Sequence, residues 1–320
     1  MAAECRFGVD FEASVRLVES RFAFRLRHVI AGIDLGGTQV RVAVASSEGD
    51  IVGIARAHTP ELGGPAGMVD WSRENAEKLA EGARIDVVGI GVPGPSDPKE
   101  GVLVNPPNLL GWPAGLRLGE MLERAFGAPV HLENDANLAA VAELKRGAGR
   151  GVRDLVYVTW STGIGSGLIL DGRLYSGAHG SAGELGHMVL DPAGPVCFCG
   201  MRGCVEAYAS GHSIEERAGR PADEVFRAAE SGDAEAAAVV ESAARKVGLG
   251  LLNLTNLVDP ELIVMGGGVT QSWNLIEGWL GQAILESPFV TPNRRPRIVR
   301  AALGADVGLV GAVEWALENR

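Results

Sequence analysis

Apolar positions along the chain follow two spacings, one typical of strands and one typical of helices. Short runs rich in Val, Ile, Leu and Ala, such as 29–34 and 87–92, have the length and composition of buried strands. Longer segments with an apolar residue every three or four positions, such as 65–82 and 233–257, are predicted to be helices. The other predicted strands are 40–45, 51–57, 130–133, 155–159, 167–170, 173–175, 261–265 and 297–302, and the other predicted helices are 116–127, 136–146, 272–286 and 308–319.

The order of these elements repeats along the chain. A strand, a glycine-rich turn, a second strand, another turn and a third strand occur over 29–57 and again over 155–175. Hairpins combined with alternating helices and strands favour an α/β fold of two similar halves. Ligands favour the crevice at the strand ends of such sheets, so the two glycine turns are predicted to flank one cleft. The predicted divisions are an N-terminal tail (1–28) with no assigned role, a smaller α/β domain (29–138) joined by the helix at 308–320, and a larger α/β domain (139–307).

The charge balance and the apolar runs exclude several classes of protein. The chain carries 29 Lys and Arg against 40 Asp and Glu, a net charge of −11, which repels a phosphate backbone and argues against nucleic acid as a partner. No apolar run reaches the roughly 18 residues that span a membrane, and acidic residues interrupt the first 28 positions, where a signal peptide would lie. A cytoplasmic protein with no membrane partner is expected.

Glycine is unusually frequent, at 45 of 320 residues, and it clusters in short motifs. The segments 34–38 (DLGGT) and 162–167 (TGIGSG) follow predicted strands, and bare backbone N–H groups there can approach a phosphate closely. Thr38 adds a hydroxyl donor, and Asp34 is placed to hold Mg²⁺ or its water. Each motif taken alone is equally typical of a plain hairpin turn. The segment 266–268 (GGG) is a third bare site, where adenine can lie flat or where a strand merely turns into a helix.

The segment 133–137 (ENDAN) joins a predicted strand to a predicted helix. Asp135 is suited to act as a general base, because phosphoryl transfer to a hydroxyl needs a carboxylate that accepts its proton. The alternative interpretation is an ordinary helix N-cap, and one residue can serve both purposes. Asn134 supplies a neutral donor and acceptor beside it.

Three of the four cysteines lie within eight positions, at Cys197, Cys199 and Cys204, ten residues after His187. Three thiolates and one imidazole form a closed tetrahedral zinc site, and the glycines between them let the chain wrap around a small ion. The predicted zinc loop is 187–204. Reduced core cysteines and a redox pair are the alternatives, although Cys-x-Cys is not the usual redox spacing. An ion here would bring Glu184 and Glu206 together as sugar ligands, where each alone would be a surface residue.

Taken together, these motifs resemble the ROK family of sugar kinases and regulators (repressor, open reading frame, kinase). The resemblance rests on 34–41 (DLGGTQVR), 91–95 (GVPGP), 133–137, 162–167, 183–187 (GELGH) and 197–206 (CFCGMRGCVE). It implies two ribonuclease-H-like halves of the actin-like ATPase type around a central ATP–sugar cleft, in a homodimer or homotetramer. It also implies phosphorylation of a hexose, most simply glucose, at the 6-hydroxyl.

The resemblance assigns roles to individual residues. Asp135 is the catalytic base, and His187 contacts the sugar as well as zinc. The implied sugar-binding residues are Asn108, Asn134, Asp135, Glu184, His187 and Glu206. The implied residues of the ATP–Mg²⁺ site are Asp34, Gly36, Gly37, Thr38, Thr162 and Gly163, with Gly267 for adenine. The zinc ligands are His187, Cys197, Cys199 and Cys204.

Several alternatives stay open at this point. N-acetylglucosamine, N-acetylmannosamine, mannose and fructose kinases share the motifs, and polyphosphate is a second possible phosphoryl donor. A sugar-sensing regulator without catalysis is disfavoured, because only 28 residues precede the first strand and a winged helix-turn-helix domain needs more. A plain actin-like ATPase is disfavoured by the cysteine loop with its two glutamates.

Overall fold

The computed structural model describes residues 16–17, 27–106 and 108–320. Their contacts divide into two compact units. One comprises the described residues up to Leu132 together with Trp315–Arg320, and the other is Glu133–Glu314. The sequence analysis places the corresponding divisions at 138/139 and 307/308. Most of the tail predicted at 1–28 lies outside the described residues.

The first unit is built on a mixed sheet with two helices. Its first strand is an edge strand that falls in the predicted tail. Its last strand continues past Leu132 into the second unit. The elements are β1 (Arg16–Leu17), β2 (His28–Leu35), β3 (Gln39–Ala45), β4 (Ile51–His58), α1 (Pro65–Ala80), β5 (Arg84–Val92), β6 (Ser96–Asp97), β7 (Val102–Leu103), α2 (Leu118–Phe126) and β8 (Val130–Asn134).

The six strands of this sheet lie in the order β1-β4-β3-β2-β5-β8, and β6 pairs with β7 separately. β2, β3 and β4 form an antiparallel meander, whereas β5 runs parallel to β2 after the crossover through α1. The central strands are buried on both faces, which explains their nearly continuous apolar sequences. Pro65 at the first turn of α1 and a left-handed Gly127 after α2 mark helix ends that local sequence specifies.

The second unit begins within β8 and contains a five-stranded sheet flanked by helices. Its last helix, α9, continues into the first unit. The elements are α3 (Asp135–Arg146), β9 (Leu155–Trp160), β10 (Ile164–Leu170), β11 (Arg173–Leu174), α4 (Val205–Ala209), α5 (Gly211–Ala218), α6 (Ala222–Glu230), α7 (Ala234–Val258), β12 (Leu262–Gly266), α8 (Trp273–Glu286), β13 (Arg297–Arg300) and α9 (Val307–Glu318).

The second sheet repeats the first in topology. Its order is β11-β10-β9-β12-β13, with an antiparallel hairpin meander followed by two parallel strands. The first sheet, read without its edge strand β1, has the corresponding order β4-β3-β2-β5-β8. In both, the first strand of the meander lies at the centre, beside the fourth strand. The predicted fold of two similar α/β halves is therefore confirmed.

One predicted turn is shorter than expected. The sequence analysis places the whole segment 162–167 in a glycine turn, but the structure begins β10 at Ile164, and Ser161–Gly163 alone make the turn. Gly165 and Gly167 are strand residues that pack against α3. Within the described residues, the helices are too short or too polar to cross a bilayer.

Candidate active site

The first glycine loop lies in the first unit, between β2 and β3. The Gly36 N–H donates to the Gln39 carbonyl at 2.9 Å, which closes the turn. Thr59, at the start of a 3-10 turn after β4, holds the loop from outside. Its hydroxyl donates to the Gly36 carbonyl at 2.8 Å and its N–H donates to the Thr38 carbonyl at 2.9 Å. These bonds fix the loop backbone in one conformation.

Gly37 is where the loop meets the segment that carries Asn108. A Cβ added to Gly37 would lie 2.2 Å from the Asn108 carbonyl oxygen, far inside van der Waals contact. Neither Gly36 nor Gly37 has a positive φ. The sequence analysis attributes these glycines to close approach of a phosphate, and the structure adds a second reason for Gly37, because two backbones touch there. The predicted phosphate loop and the predicted sugar residue Asn108 are thus packed together within the first unit.

Asp34 is the penultimate residue of β2 and lies directly opposite Arg41 on β3. Two guanidinium nitrogens of Arg41 donate to the Asp34 Oδ2 oxygen, the Nε–H from 2.9 Å and a terminal N–H at closer range. Both side chains are mostly buried, with 17% and 15% of their surface exposed. This pair holds the carboxylate that the sequence analysis assigns to Mg²⁺ or its water.

Asn134 and Asp135 lie at the start of α3 in the second unit. The N-cap is Asn134, whose Oδ1 accepts from the N–H groups of Ala136 (2.9 Å) and Asn137 (3.4 Å). Asp135 is the first residue of the helix, and its side chain is exposed. Its Oδ1 accepts the Ala136 N–H at 2.7 Å. The alternative in which Asp135 is itself the cap is therefore wrong, since its neighbour caps the helix.

Glu133 is buried beside the start of α3 and holds its backbone in place. It is 1% exposed, and its Oε1 accepts the Asn134 N–H at 2.8 Å and the Asn137 Nδ2 at 2.9 Å, while Ser176 donates to Oε2 at 3.3 Å. Burial raises the pKa of the Glu133 carboxyl, and these hydrogen bonds offset part of that effect. The carboxylate that a ligand can reach is Asp135, and Glu133 supports the backbone next to it.

The start of α3 packs directly onto β10. A Cβ on Gly167 would lie 2.7 Å from the Ala136 carbonyl oxygen, and one on Gly165 would lie 3.5 Å from the Ala136 Cβ. Ala136 follows Asp135, so the missing side chain of Gly167 lets the helix start approach the strand that leads out of the second glycine loop, whereas a Cβ on Gly165 would make ordinary contact with Ala136. Both glycines lie within β10 and not in the turn itself.

The second glycine loop, Ser161–Gly163, is held by several segments. The Ser161 N–H donates to the Gly163 carbonyl at 2.9 Å and closes the turn. The start of α5 donates to the loop from outside, with Gly211 N–H to the Ser161 carbonyl at 2.8 Å and His212 N–H to the Thr162 carbonyl at 3.2 Å. Glu206 accepts the Ile164 N–H on its Oε2 at 2.9 Å.

The four predicted metal ligands come together in the second unit. Their donor atoms all lie within 4.8 Å of one another, and the three cysteines form no disulfide. The Cys199 and Cys204 sulfurs are 3.8 Å apart, and the Cys197 sulfur is 3.8 Å from the His187 Nδ1. Tetrahedral bonds of about 2.3 Å from zinc to sulfur separate two sulfurs by about 3.8 Å, so the donor set fits a zinc ion.

The loop around these sulfurs has the shape that an ion requires. Gly200 has φ +89°, and its N–H donates to the Cys197 carbonyl at 2.9 Å, which turns the chain back on itself. Burial raises the pKa of the Cys204 thiol to about 12, whereas a hydrogen bond from the Met201 N–H lowers the pKa of the exposed Cys199 thiol. A divalent cation that replaces these protons would stabilise the cluster, which is the behaviour of structural zinc sites.

His187 ends a 3-10 turn, Leu185–His187, with Glu184 immediately before it. The ring's Nδ1 faces the sulfur of Cys197, so its Nε2 points away from the cluster. Glu184 and His187 are both exposed, whereas Glu206 is half-buried and takes part in the bond to the second loop. Of the predicted sugar ligands, Glu184, His187 and Glu206 thus lie on the segments that also carry the predicted metal ligands.

A pocket of about 620 Å³ opens beside the second glycine loop, within the range usual for small-molecule sites. It is enclosed by the loop, by the start of α5, by one face of α6 and by the 3-10 turn Gly268–Ser272. The lining residues are Ser161, Thr162, Gly211, His212, Glu215, Ala222, Asp223, Phe226, Arg227, Glu230, Gly268, Val269, Gln271 and Ser272.

Gly267, the glycine predicted to contact adenine, is not among the residues that line this pocket. Gly267 has φ +87° and its added Cβ would lie 2.3 Å from the Trp160 carbonyl oxygen, so it is packed against β9. Gly268 is the glycine that lines the pocket. The sequence analysis also missed the side chains of α5 and α6 in the pocket, such as His212, Phe226 and Arg227. Their spacing is that of ordinary amphipathic helices and carries no separate signal.

Comparisons with known proteins give results consistent with this geometry. The sequence profile of the ROK family matches residues 30–319. A glucokinase of Thermotoga maritima is 31% identical over 312 residues, covering 91% of this chain and 98% of the relative. An N-acetylmannosamine kinase of Citrobacter koseri is 36% identical over 292 residues, covering 88% and 96%. A crystal structure of a ROK family glucokinase from Streptomyces griseus, in complex with glucose and AMPPNP, is 33% identical with a TM-score of 0.76 and covers 91% and 99%.

Proposed function

Since the chain belongs to the ROK family, we propose that it transfers the terminal phosphoryl group of ATP to the 6-hydroxyl of a hexose, with glucose as the acceptor. The observation that carries the proposal is the start of α3. Asp135 presents an exposed carboxylate at the first helical position, while Asn134 caps the helix and Glu133 is buried beneath them. A general base has to be held in this way, accessible on one side and fixed on the other.

The proposed reaction follows from the chemistry of these groups. The sugar O6 attacks the γ-phosphorus, the bond from that phosphorus to the β–γ bridging oxygen breaks, and ADP leaves. Asp135 accepts the O6 proton as the new bond forms. Backbone N–H groups of the two glycine loops and the Thr38 and Thr162 hydroxyls are assigned to the phosphates, and the pocket of the second unit is assigned to the nucleoside.

Two metals are part of the proposal. Mg²⁺ bound with ATP would supply positive charge that offsets the charge developing on the phosphoryl oxygens, and the Asp34 carboxylate would hold it or its water. Zinc would be held by His187, Cys197, Cys199 and Cys204, and it would fix the segments that carry Glu184 and Glu206. The oligomeric state and the cellular compartment stay predictions from the sequence.

Glucose is favoured as the acceptor because the glucokinase relatives span almost the whole chain. N-acetylmannosamine is the second candidate, because the kinase of Citrobacter koseri is at least as similar in sequence. A panel of glucose, N-acetylmannosamine, N-acetylglucosamine, mannose and fructose, each compared by kcat/KM with ATP, decides between them. The same panel with polyphosphate in place of ATP tests the donor.

The base is tested by Asp135→Asn. The asparagine oxygen can still accept the Ala136 N–H, so the fold and helix start are retained. General-base catalysis contributes about 10²–10⁴-fold, and kcat is expected to fall by at least about 100-fold with little change in thermal stability. Asp70→Asn, at an exposed position on α1, is the matched control and should keep wild-type kcat. Full activity of Asp135→Asn would show that this carboxylate is not the base.

A further inference from the structure

Glu206 is bonded to the second glycine loop more closely than a sugar ligand needs to be. Its Oε2 accepts the Ile164 N–H at 2.9 Å, at the point where the loop becomes β10. A Cβ on Gly163 would lie 2.9 Å from the same oxygen, and one on Gly186 would lie 3.5 Å from it. The absence of a side chain at Gly163 makes room for the carboxylate beside the loop, whereas a Cβ on Gly186 would make only ordinary contact with it.

The two segments that contact the end of the second glycine loop, near Ile164, also carry predicted metal ligands. The 3-10 turn Leu185–His187 ends in one ligand, and its Gly186 approaches the Ile164 carbonyl so closely that an added Cβ would lie 2.2 Å away. α4 begins after a second ligand, Cys204, and Glu206 is its second residue.

These two segments are also bonded to each other. The Val205 N–H donates to the Met188 carbonyl at 3.0 Å, and the backbones of Val189 and Cys204 form an isolated antiparallel β-bridge. An ion that ties His187 to Cys204 therefore fixes the relative position of both supports of the loop.

We propose that Glu206 is a positioning residue for the second glycine loop, and that metal binding at the cysteine cluster raises nucleotide affinity through it. The inference rests on the proposed function in one respect, namely that the loop binds nucleotide phosphates. A carboxylate close to a phosphate site is unfavourable by charge alone, so its placement here needs a structural purpose. The hydrogen bond to Ile164 provides that purpose.

The test measures binding of a fluorescent ADP analogue with Mg²⁺ and without sugar, so that contacts of Glu206 to the sugar have no influence. Glu206→Ala loses the acceptor for the Ile164 N–H, and Kd is expected to rise about tenfold, as for loss of one hydrogen bond to a charged group. Glu206→Gln keeps an acceptor oxygen and should bind within about twofold of wild type, which also separates positioning from charge repulsion. Glu235→Ala, which removes an exposed carboxylate at the start of α7 and outside the candidate site, should leave Kd unchanged.

The metal is tested by Cys199→Ala, because Cys199 is exposed and its loss disturbs the core least. Metal content is expected to fall below one zinc per chain, and the Kd of the ADP analogue should rise by a factor similar to that of Glu206→Ala. The double variant should be little worse than either single one, because both changes release the same loop. Additive effects, or full nucleotide affinity in the metal-depleted protein, would overturn the coupling.

Hydrogen exchange of the peptide covering 161–166 separates this inference from the proposed function. Faster exchange in Glu206→Ala and in Cys199→Ala than in wild type supports the positioning role, whether or not nucleotide binds. If wild type binds no nucleotide, the proposed function fails while the exchange result still stands. If nucleotide binds but neither exchange nor Kd changes in Glu206→Ala, the inference is refuted and the proposed function is untouched.

Discussion

Replacing Gly37 by alanine tests how the first glycine loop is built. The added Cβ would lie 2.2 Å from the Asn108 carbonyl oxygen and 3.1 Å from the Asn108 Cβ. Ordinary van der Waals contact begins near 3.4 Å, so the two segments have to separate by about 1.2 Å. The obstacle is backbone, which cannot rotate away as the end of a side chain can.

The expected cost follows from that displacement. A misplacement of about 1 Å in a catalytic site lowers the rate on the order of 100-fold, and overpacking of this kind costs about 1–3 kcal/mol of stability. Because the movement displaces the predicted phosphate loop and the predicted sugar residue Asn108 together, KM for both ATP and glucose should rise and kcat should fall.

Gly36→Ala is the matched control, one residue earlier in the same loop. Its Cβ would lie 3.0 Å from the Gln39 carbonyl oxygen, so the required movement is a few tenths of an ångström. Neither glycine has a positive φ, and backbone strain therefore does not differ between the two variants.

The assay compares kcat and both KM values of the two variants, together with their melting temperatures. Gly37→Ala is expected to lose on the order of 100-fold in kcat/KM, while Gly36→Ala loses no more than about tenfold. Equal losses of kcat/KM in the two variants would mean that both glycines are needed only because a phosphate approaches the loop backbone. Wild-type kinetics for Gly37→Ala would refute the contact with Asn108.

Two further predictions concern buried carboxylates. The pKa of Glu133 is raised by burial, so the folded state binds this proton more tightly than the unfolded chain does, and ionisation above the ordinary value of about 4.3 lowers stability. Glu133→Gln removes this cost. The free energy of unfolding of the variant minus that of wild type, measured by urea unfolding, should therefore increase from pH 4 to pH 7. A difference that stays constant with pH would contradict this. Glu143 is fully buried and accepts three backbone N–H groups, those of Ala302 and Leu303 at 2.9 Å and that of Ala148 at 2.7 Å. Glu143→Gln turns an amide donor toward one of these N–H groups, so the free energy of unfolding should fall by about 2–4 kcal/mol in urea unfolding. A loss below about 0.5 kcal/mol would show that the three bonds contribute little.

The repeated topology was predictable from the sequence because each of its signals is local. Alternation of apolar residues indicates strands, and the glycine turns at 36–37 and at Asp171-Gly172 indicate hairpins without reference to distant segments. The grouping of His187 with three cysteines was predictable for the same reason, since the cysteines lie within eight positions. Chemistry and spacing together specify such a site, and the donor atoms are indeed adjacent.

Other features of the site depend on segments that are far apart in the sequence. The pocket of the second unit combines the turn near Thr162, the α6 face with Phe226 and the turn at Gly268. No local pattern connects these three regions. The bond from Glu206 to Ile164 spans 42 positions, and the burial of Glu143 depends on backbone groups about 160 residues away. Contacts of this kind appear only when the chain is folded.

The glycines show the difference between local sequence signals and contacts between distant segments. In the described part of the chain, 19 glycines have positive φ and serve turns and helix ends. Gly37, Gly167, Gly186 and Gly211 do not, yet a Cβ on any of them would lie within 2.8 Å of a backbone carbonyl oxygen of another segment. These contacts lie at the first glycine loop in the first unit and, in the second unit, at the second glycine loop and at β10. The sequence pattern marks the glycine-rich segments, whereas only the folded chain shows that these four glycines lack a side chain because backbone packs on backbone.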